Sequence, residues 1–219
     1  MIINYIGHAC FKIQTQPNPV QSKNKLIIYF DPFDKSVGLN PPSGKADLVL
    51  SSHDHFDHNN TQNFESGFFF VNNPGEYSYQ GVNIKGILSY HDQEKGAQRG
   101  LNTIFVVESE KIKICHLGDL GHELSQNQLD QIGAIDILMI PVGGKFTISG
   151  KQAARIAKSI EPAFILPMHF QTPSLSISGL EPKESFYKEL GLEPKQKVDK
   201  LKITSSSINH DEIEVMEFS

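Results

Sequence analysis

The sequence predicts an α+β protein in which packed β-sheets are flanked by helices. Three observations predict it. The first half of the chain is a succession of short apolar or alternating runs separated by Asn, Pro, Gly and Asp clusters, the pattern of strands joined by turns. The second half alternates apolar runs with segments of helical period. No repeat, low-complexity tract or linker-like stretch interrupts the 219 residues, so the chain reads as one domain, 1–219.

Strands are expected at Ile2–Ile6, Cys10–Gln14, Leu26–Phe30, Asp47–Ser51, Phe68–Val71, Val82–Ile87 and Thr103–Glu108. The polar stretch Gln16–Lys25 carries two prolines and reads as a hairpin loop. Lys113–Leu117 is a further strand, and Ser125–Ile132 a short helix stopped by Gly133. Ile135–Ile140 is continuously apolar, as a strand buried on both faces should be. A helix then begins near Ser149 with Ala153, Ile156, Ala157 and Ile160 on one face. Glu161-Pro162 ends it, because the residue before proline resists helical geometry. Ala163–Pro167 reads as a strand and Pro182–Leu190 as a helix closed by Gly191. Two β-runs, Lys200–Ser205 and Glu212–Phe218, finish the chain.

Composition sets broad limits. A hydrophobic content of 38% and a charged content of 21% are ordinary for a globular protein. The net charge of −5 weighs against a nucleic-acid partner, which usually leaves a basic footprint. Cys10 and Cys115 have no nearby cysteine and are expected as buried free thiols in a reducing compartment. The N-terminus reads as a strand and not a secretion signal. No apolar run approaches the ~20 residues of a membrane helix. The expected address is the cytoplasm, the expected partner a small-molecule substrate; oligomeric state is not legible.

The most informative stretch is Ser52-His53-Asp54-His55-Phe56-Asp57-His58, placed where a buried strand releases the chain into a loop. In an extended segment residues two apart point the same way, so His53 and His55 can reach one ion together. Asp57 and His58 lie beyond the bend and can turn toward a second ion. Asp54 points away and is excluded. Imidazole with carboxylate suits Zn²⁺ and similar metals. Further candidates each follow an apolar run: His91, Asp119 in His116-Leu117-Gly118-Asp119, and His169 after Pro167-Met168. Side chains at strand ends converge, which makes such positions apt for function.

The order H-x-H-x-D-H, then His, then Gly-Asp, then Pro-Met-His resembles the metallo-β-lactamase superfamily. Ile6-Gly7-His8-Ala9-Cys10-Phe11, Asp31-Pro32-Phe33, Pro74-Gly75-Glu76-Tyr77, Arg99-Gly100-Leu101-Asn102-Thr103-Ile104 and Pro141-Val142-Gly143-Gly144 resemble its branch of small Zn-dependent hydrolases related to ascorbate-6-phosphate lactonases. The resemblance runs from about residue 1 to His169. It implies a four-layer αββα sandwich of two mixed β-sheets flanked by helices, with two divalent metal ions, Zn²⁺ before Mn²⁺ or Fe²⁺, at one edge. It implies His53, His55 and His91 on the first metal, Asp57, His58 and His169 on the second, and Asp119 bridging. It also implies hydrolysis of a small-molecule ester, lactone, amide or phosphoester by a hydroxide bound between the ions. Asp119 would orient that hydroxide, and Asp57 is counted with it as catalytic.

Other residues carry two readings each. His8 can orient a ligand, touch substrate or be structural. His116 is expected to support the ligands from behind. Glu76 and Asp31 are supports or simply turn and strand-end carboxylates. His122 is expected as an exposed loop histidine. Arg99 and Lys145 are candidates for an anionic substrate, with surface solvation as the ordinary alternative. Two other functions are compatible with the motifs: a nucleic-acid-processing enzyme on the same fold, and a non-catalytic metal-binding protein. The fifty positions between Asp119 and His169 leave no room for the inserted domain of β-CASP nucleases.

Overall fold

Period-two burial along the first fifty residues builds a sheet with two apolar faces. The computed structural model describes residues 1–17 and 25–219; the expected loop Gln16–Lys25 falls mostly outside them. Strands β1 (Ile2–Gly7), β2 (Cys10–Thr15) and β3 (Leu26–Phe30) form an antiparallel meander. Two short strands, β4 (Leu48–Leu50) and β5 (Phe69–Val71), join β3 in parallel. Phe11, Ile13, Ile28, Phe30, Leu48 and Leu50 point inward to the central core. The alternate residues Cys10, Tyr29 and Val49 point outward to a second cluster.

The second sheet starts with β6 (Gly75–Tyr79), β7 (Val82–Tyr90), β8 (Leu101–Ser109) and β9 (Ile112–His116), all antiparallel neighbours. After α1 (Gln126–Ile132) come β10 (Ile137–Pro141), α2 (Gly150–Ile160), β11 (Phe164–Met168) and α3 (Lys183–Leu190). The last strands are short: β12 (Lys197–Val198), β13 (Leu201–Lys202), β14 (Glu214–Val215) and β15 (Glu217–Phe218). The sheet orders are β13-β1-β2-β3-β4-β5 and β14-β11-β10-β9-β8-β7-β6, with β12 and β15 paired separately. Both large sheets mix parallel and antiparallel ladders.

The helices begin where the sequence supplies caps. Ser125 and Ser149 each accept from the backbone of a glutamine three residues on, and Gln128 and Gln152 return the bond. Ala153, Ile156 and Ala157 of α2, with Phe186 and Tyr187 of α3, cover the outer face of the second sheet at Ile104, Cys115, Leu138 and Ile140. The outer face of the first sheet is covered by loop residues, among them Phe33, Phe64, Leu175 and Leu180, together with Val37 from a single 3-10 turn. That fourth layer therefore consists of irregular chain and not of an α-helix among the described residues.

Three expectations need correction. β6 was not foreseen, because this edge strand is largely exposed and its alternation is confined to two half-buried tyrosines, Tyr77 and Tyr79, in a glycine-led run. The run Lys200–Ser205 yields only Leu201–Lys202 as strand, and Glu212–Phe218 is broken at Met216. β7 continues three residues past Ile87, since pairing with β8 persists to Tyr90↔Leu101. The last point matters for the site. β1, β3, β4, β7, β9 and β11 all run toward one edge of the sandwich, and the segments leaving them bring His8, Asp31, His53, His91, Asp119 and His169 there.

Candidate metal centre

Asp119 lies at the middle of the cluster. Its Oδ2 is 3.3 Å from His58 Nε2, 3.2 Å from His91 Nε2 and 3.1 Å from His169 Nε2, three imidazoles from three separate loops. All four side chains are buried. Ligating atoms of His53, His55 and His91 lie within 4.8 Å of one another, as do those of His8, Asp57, His58 and His169, and those of His53, His58 and Asp119. All seven residues expected as ligands are thus brought together. His8 joins them: its Nε2 is 3.1 Å from Asp57 Oδ2, and its ring is 4.4 Å from that of His169.

Asp31, at the end of β3, organises the histidine loop. Its Oδ1 accepts from the Ser52 backbone at 2.7 Å, and its Oδ2 accepts from Ser52 Oγ at 2.7 Å and from His58 Nδ1 at 2.9 Å. Because the Ser52 hydroxyl proton is committed to Asp31, Ser52 Oγ must accept from His53 Nδ1, 2.9 Å away. Both imidazoles therefore carry a proton on Nδ1, and Nε2 is the nitrogen each turns toward the cluster. Burial opposes ionisation of Asp31, but the imidazoles of His116 and His58 hold its carboxyl below the usual range.

Asp119 is positioned from beneath by Asn102, a fully buried residue of β8. Asn102 Oδ1 accepts from the Asp119 backbone at 2.9 Å, while Nδ2 donates to Ser89 Oγ at 2.7 Å and to the Leu117 carbonyl at 2.9 Å. Gly118 makes this turn possible. Its φ is 57°, and a Cβ there would sit 2.3 Å from Asn102 Oδ1. His116 donates from Nε2 to the Ala9 carbonyl at 2.9 Å and accepts the Gly118 N–H at 3.1 Å on Nδ1, so it ties the β1–β2 turn to the turn that carries Asp119. His122 does more than the exposed loop role expected of it. Half-buried, it accepts the Tyr90 N–H at 3.1 Å, immediately before His91.

Asp92 was missed by the sequence reading. Its carboxylate accepts four backbone N–H bonds, from Glu94, Gly96, Gln98 and Arg99, at 2.8 to 2.9 Å. Burial would raise its pKa, but the four donors lower it to about 2. A carboxylate followed by two glycines, Gly96 and Gly100, was the available signal. Glu76 is not part of the centre: it is exposed on edge strand β6, opposite Lys85. Asp54 is exposed too and accepts from Asn59.

Charge in the cluster is strongly coupled. Burial holds His53 well below its ordinary value and, with His169, pushes His8 down to about 4, so both are neutral. Burial also disfavours charge on His58, yet Asp119 and Asp57 raise it well above the ordinary imidazole range. A cation is wanted between these carboxylates, and without one His58 supplies it as a proton. Among the described residues, His58 Nε2 and Asp119 Oδ1 face the cluster buried and without a hydrogen-bond partner. Buried polar groups are normally satisfied, and an unpartnered nitrogen and oxygen side by side are what a site for an added ion leaves. The donor set of imidazole and carboxylate fits a borderline divalent metal.

A buried imidazole and carboxylate centre at the shared edge of two packed sheets defines a metallo-hydrolase of the β-lactamase type. A family model described as "Beta-lactamase superfamily domain" matches residues 2–169, and the chain belongs to that family. It is similar to a UPF0173 metal-dependent hydrolase of Thermococcus onnurineus, 28% identical over 78% of this chain and 84% of the relative. A second UPF0173 metal-dependent hydrolase, from Thermoplasma acidophilum, is 29% identical over 76% of this chain and 81% of its own length. A Thermotoga maritima crystal structure, described as a candidate Zn-dependent hydrolase of the metallo-β-lactamase superfamily, is 33% identical with a TM-score of 0.77, covering 100% of this chain and 99% of that one. The protein is a metal-dependent hydrolase of this superfamily. No helix among the described residues is long and apolar enough to cross a membrane.

Proposed function

We propose that the chain holds two divalent ions, zinc by preference, and hydrolyses a small-molecule ester, lactone, amide or phosphoester in the cytoplasm. His53, His55 and His91 would hold one ion, Asp57, His58 and His169 the other, with Asp119 between them. Ions held there would lower the pKa of water toward about 7 and would polarise a carbonyl or phosphoryl oxygen. The chain's own residues do the rest. Asp31 fixes the ring nitrogens that face the ions, directly for His58 and through Ser52 for His53. Asn102 sets the height of Asp119. Asp57, held below its usual carboxylate range against burial by His58 and His8, stays an anion beside the reacting centre.

The observation that carries this reading is the single oxygen of Asp119 met by three imidazoles at the floor of an open hollow of about 300 Å³. Two buried free thiols suit a reducing compartment. The test is metal analysis joined to a hydrolysis screen over lactones, esters, phosphodiesters and RNA. The expected result is about two metal equivalents and turnover of a small substrate, both lost in a folded Asp119→Ala variant. Wild-type metal content in that variant, or a fully metal-loaded protein inert on every class, would overturn the proposal.

A further inference from the structure

The hollow above the ligands is lined by members of the cluster together with Phe56, Phe146, Ile177 and Arg99. Beside it lies a second hollow of about 250 Å³ with a polar lining that includes Lys145, Gln98 and the exposed Glu94. His91, Arg99 and Phe146 belong to both, so Arg99 and Phe146 form the partition between an apolar chamber over the metal ligands and a polar one leading outward. Phe56 is 57% exposed at this mouth and adds an apolar surface to it.

Two cations flank that partition. The Arg99 guanidinium is 5.8 Å from the centre of the Phe146 ring, and Lys145 Nζ is 4.8 Å from it. Among the described residues neither has a carboxylate within ion-pair distance, although six other Lys, Arg or N-terminal groups do. The nearby carboxylate of Asp92 is occupied by four backbone donors. Those same bonds fix the backbone from which Arg99 projects. Lys145 is held by the Ser178 carbonyl, which leaves its charge uncompensated. Both side chains line the polar hollow, where an anion would meet two uncompensated positive charges.

We propose that Arg99 and Lys145 form an anion-recognition site. On the hydrolase reading above, the substrate then carries an apolar group, for the Phe56, Phe146 and Ile177 walls, and a carboxylate or phosphate separate from its scissile bond. A guanidinium reads either anion through paired N–H donors.

The test uses the metal-loaded protein and its Arg99→Gln variant, with matched metal content. Calorimetry with phenylacetate, phenyl phosphate and neutral phenylacetamide separates the anion from the ring. Binding of an anionic probe should weaken about tenfold or more in the variant, with phenylacetamide unchanged, and the tighter wild-type anion identifies carboxylate or phosphate. In parallel, the mono-4-nitrophenyl ester of glutarate is compared with 4-nitrophenyl valerate. The variant should raise KM for the charged ester alone and leave kcat in place. Equal affinity of both proteins for the anions, which is what direct capture by the metals gives, overturns the proposal, as does failure of the wild type to bind either anion. If both esters are inert, the hydrolase reading is what suffers, and the binding arm still decides the anion site.

Discussion

Replacing Asp31 by Asn removes one charge and no volume, yet it should disarm two metal ligands together. The amide can keep one oxygen for the Ser52 N–H that Asp31 Oδ1 accepts at 2.7 Å. Its NH₂ then occupies the place of Oδ2, where Ser52 Oγ and His58 Nδ1 now donate. Donor faces donor at both contacts. His58 can respond only by turning Nδ1 into an acceptor, which moves its proton to Nε2, the nitrogen beside Asp57 and Asp119. Ser52 must point its hydroxyl proton at His53 Nδ1, which moves that proton to Nε2 as well. A single support for a metal ligand is worth about 10- to 100-fold in metal affinity, and this one serves two ligands. Zinc affinity should therefore fall about 100-fold or more, measured by competition with a coloured chelator. The lost charge-assisted bonds amount to about 2–3 kcal/mol in the metal-free protein, a fall in Tm of about 4–12 °C for a chain of this length. Zinc affinity within threefold of wild type would refute the relay from Asp31 through Ser52 to His53.

Three further outcomes follow from the same structure. Zinc at a hundred times its Kd should stabilise the protein by about 2.7 kcal/mol and raise Tm by roughly 5–10 °C, read by calorimetry. That binding should release a proton near pH 7. Asp119 and Asp57 raise His58 against its burial, so its proton stabilises the metal-free fold fully below the ordinary histidine value. This stabilisation is lost only as pH rises through the elevated one. A pH indicator that registers no release on zinc addition would contradict this. In the central core, Phe105→Ala should cost about 3–5 kcal/mol, because Phe105 is fully buried between the sheets. A denaturant midpoint unchanged from wild type would show that the core does not close around it.

What the sequence made legible, and what it hid, divides along a physical line. Strands with one buried face or two, such as Leu26–Phe30 and Ile137–Pro141, carry their burial in their apolar pattern, and their positions were foreseen to within a residue or two. Edge strand β6 advertises its inner face with only two half-buried tyrosines, Tyr77 and Tyr79. The cluster His53 to His58 was legible because ligating side chains crowd into one loop. Asn102 and Asp92 were not, because their work is done through hydrogen bonds to backbone distant in space or hidden in a loop. A polar residue inside a strand looks the same in sequence whether its amide is solvated or holds Asp119. Glu76 shows the opposite error: a carboxylate inside a resembling motif gained a role that its exposed place on β6 does not support.

The backbone itself is bent at the centre. His8, Asp31 and His169 have φ of 56°, 42° and 53°, in the left-handed region that side chains other than Gly rarely enter. Each residue so placed costs of order 1–3 kcal/mol and persists only when its surroundings over-determine it. Here they do. The His8 carbonyl accepts from the His169 N–H and from the Tyr5 hydroxyl, both at 2.7 Å, and the Asp31 N–H donates to Leu50 at 2.8 Å. The bond from His169 to His8 crosses between the two sheets, so the strain in one loop is held by the strain in the other. Each of the three turns follows the end of a strand and swings its side chain back over the sheet edge and not onward along the strand. The two sheets could pack without these turns, but the ligands could not then converge, and the imidazoles of His8 and His169 would lose their 4.4 Å approach.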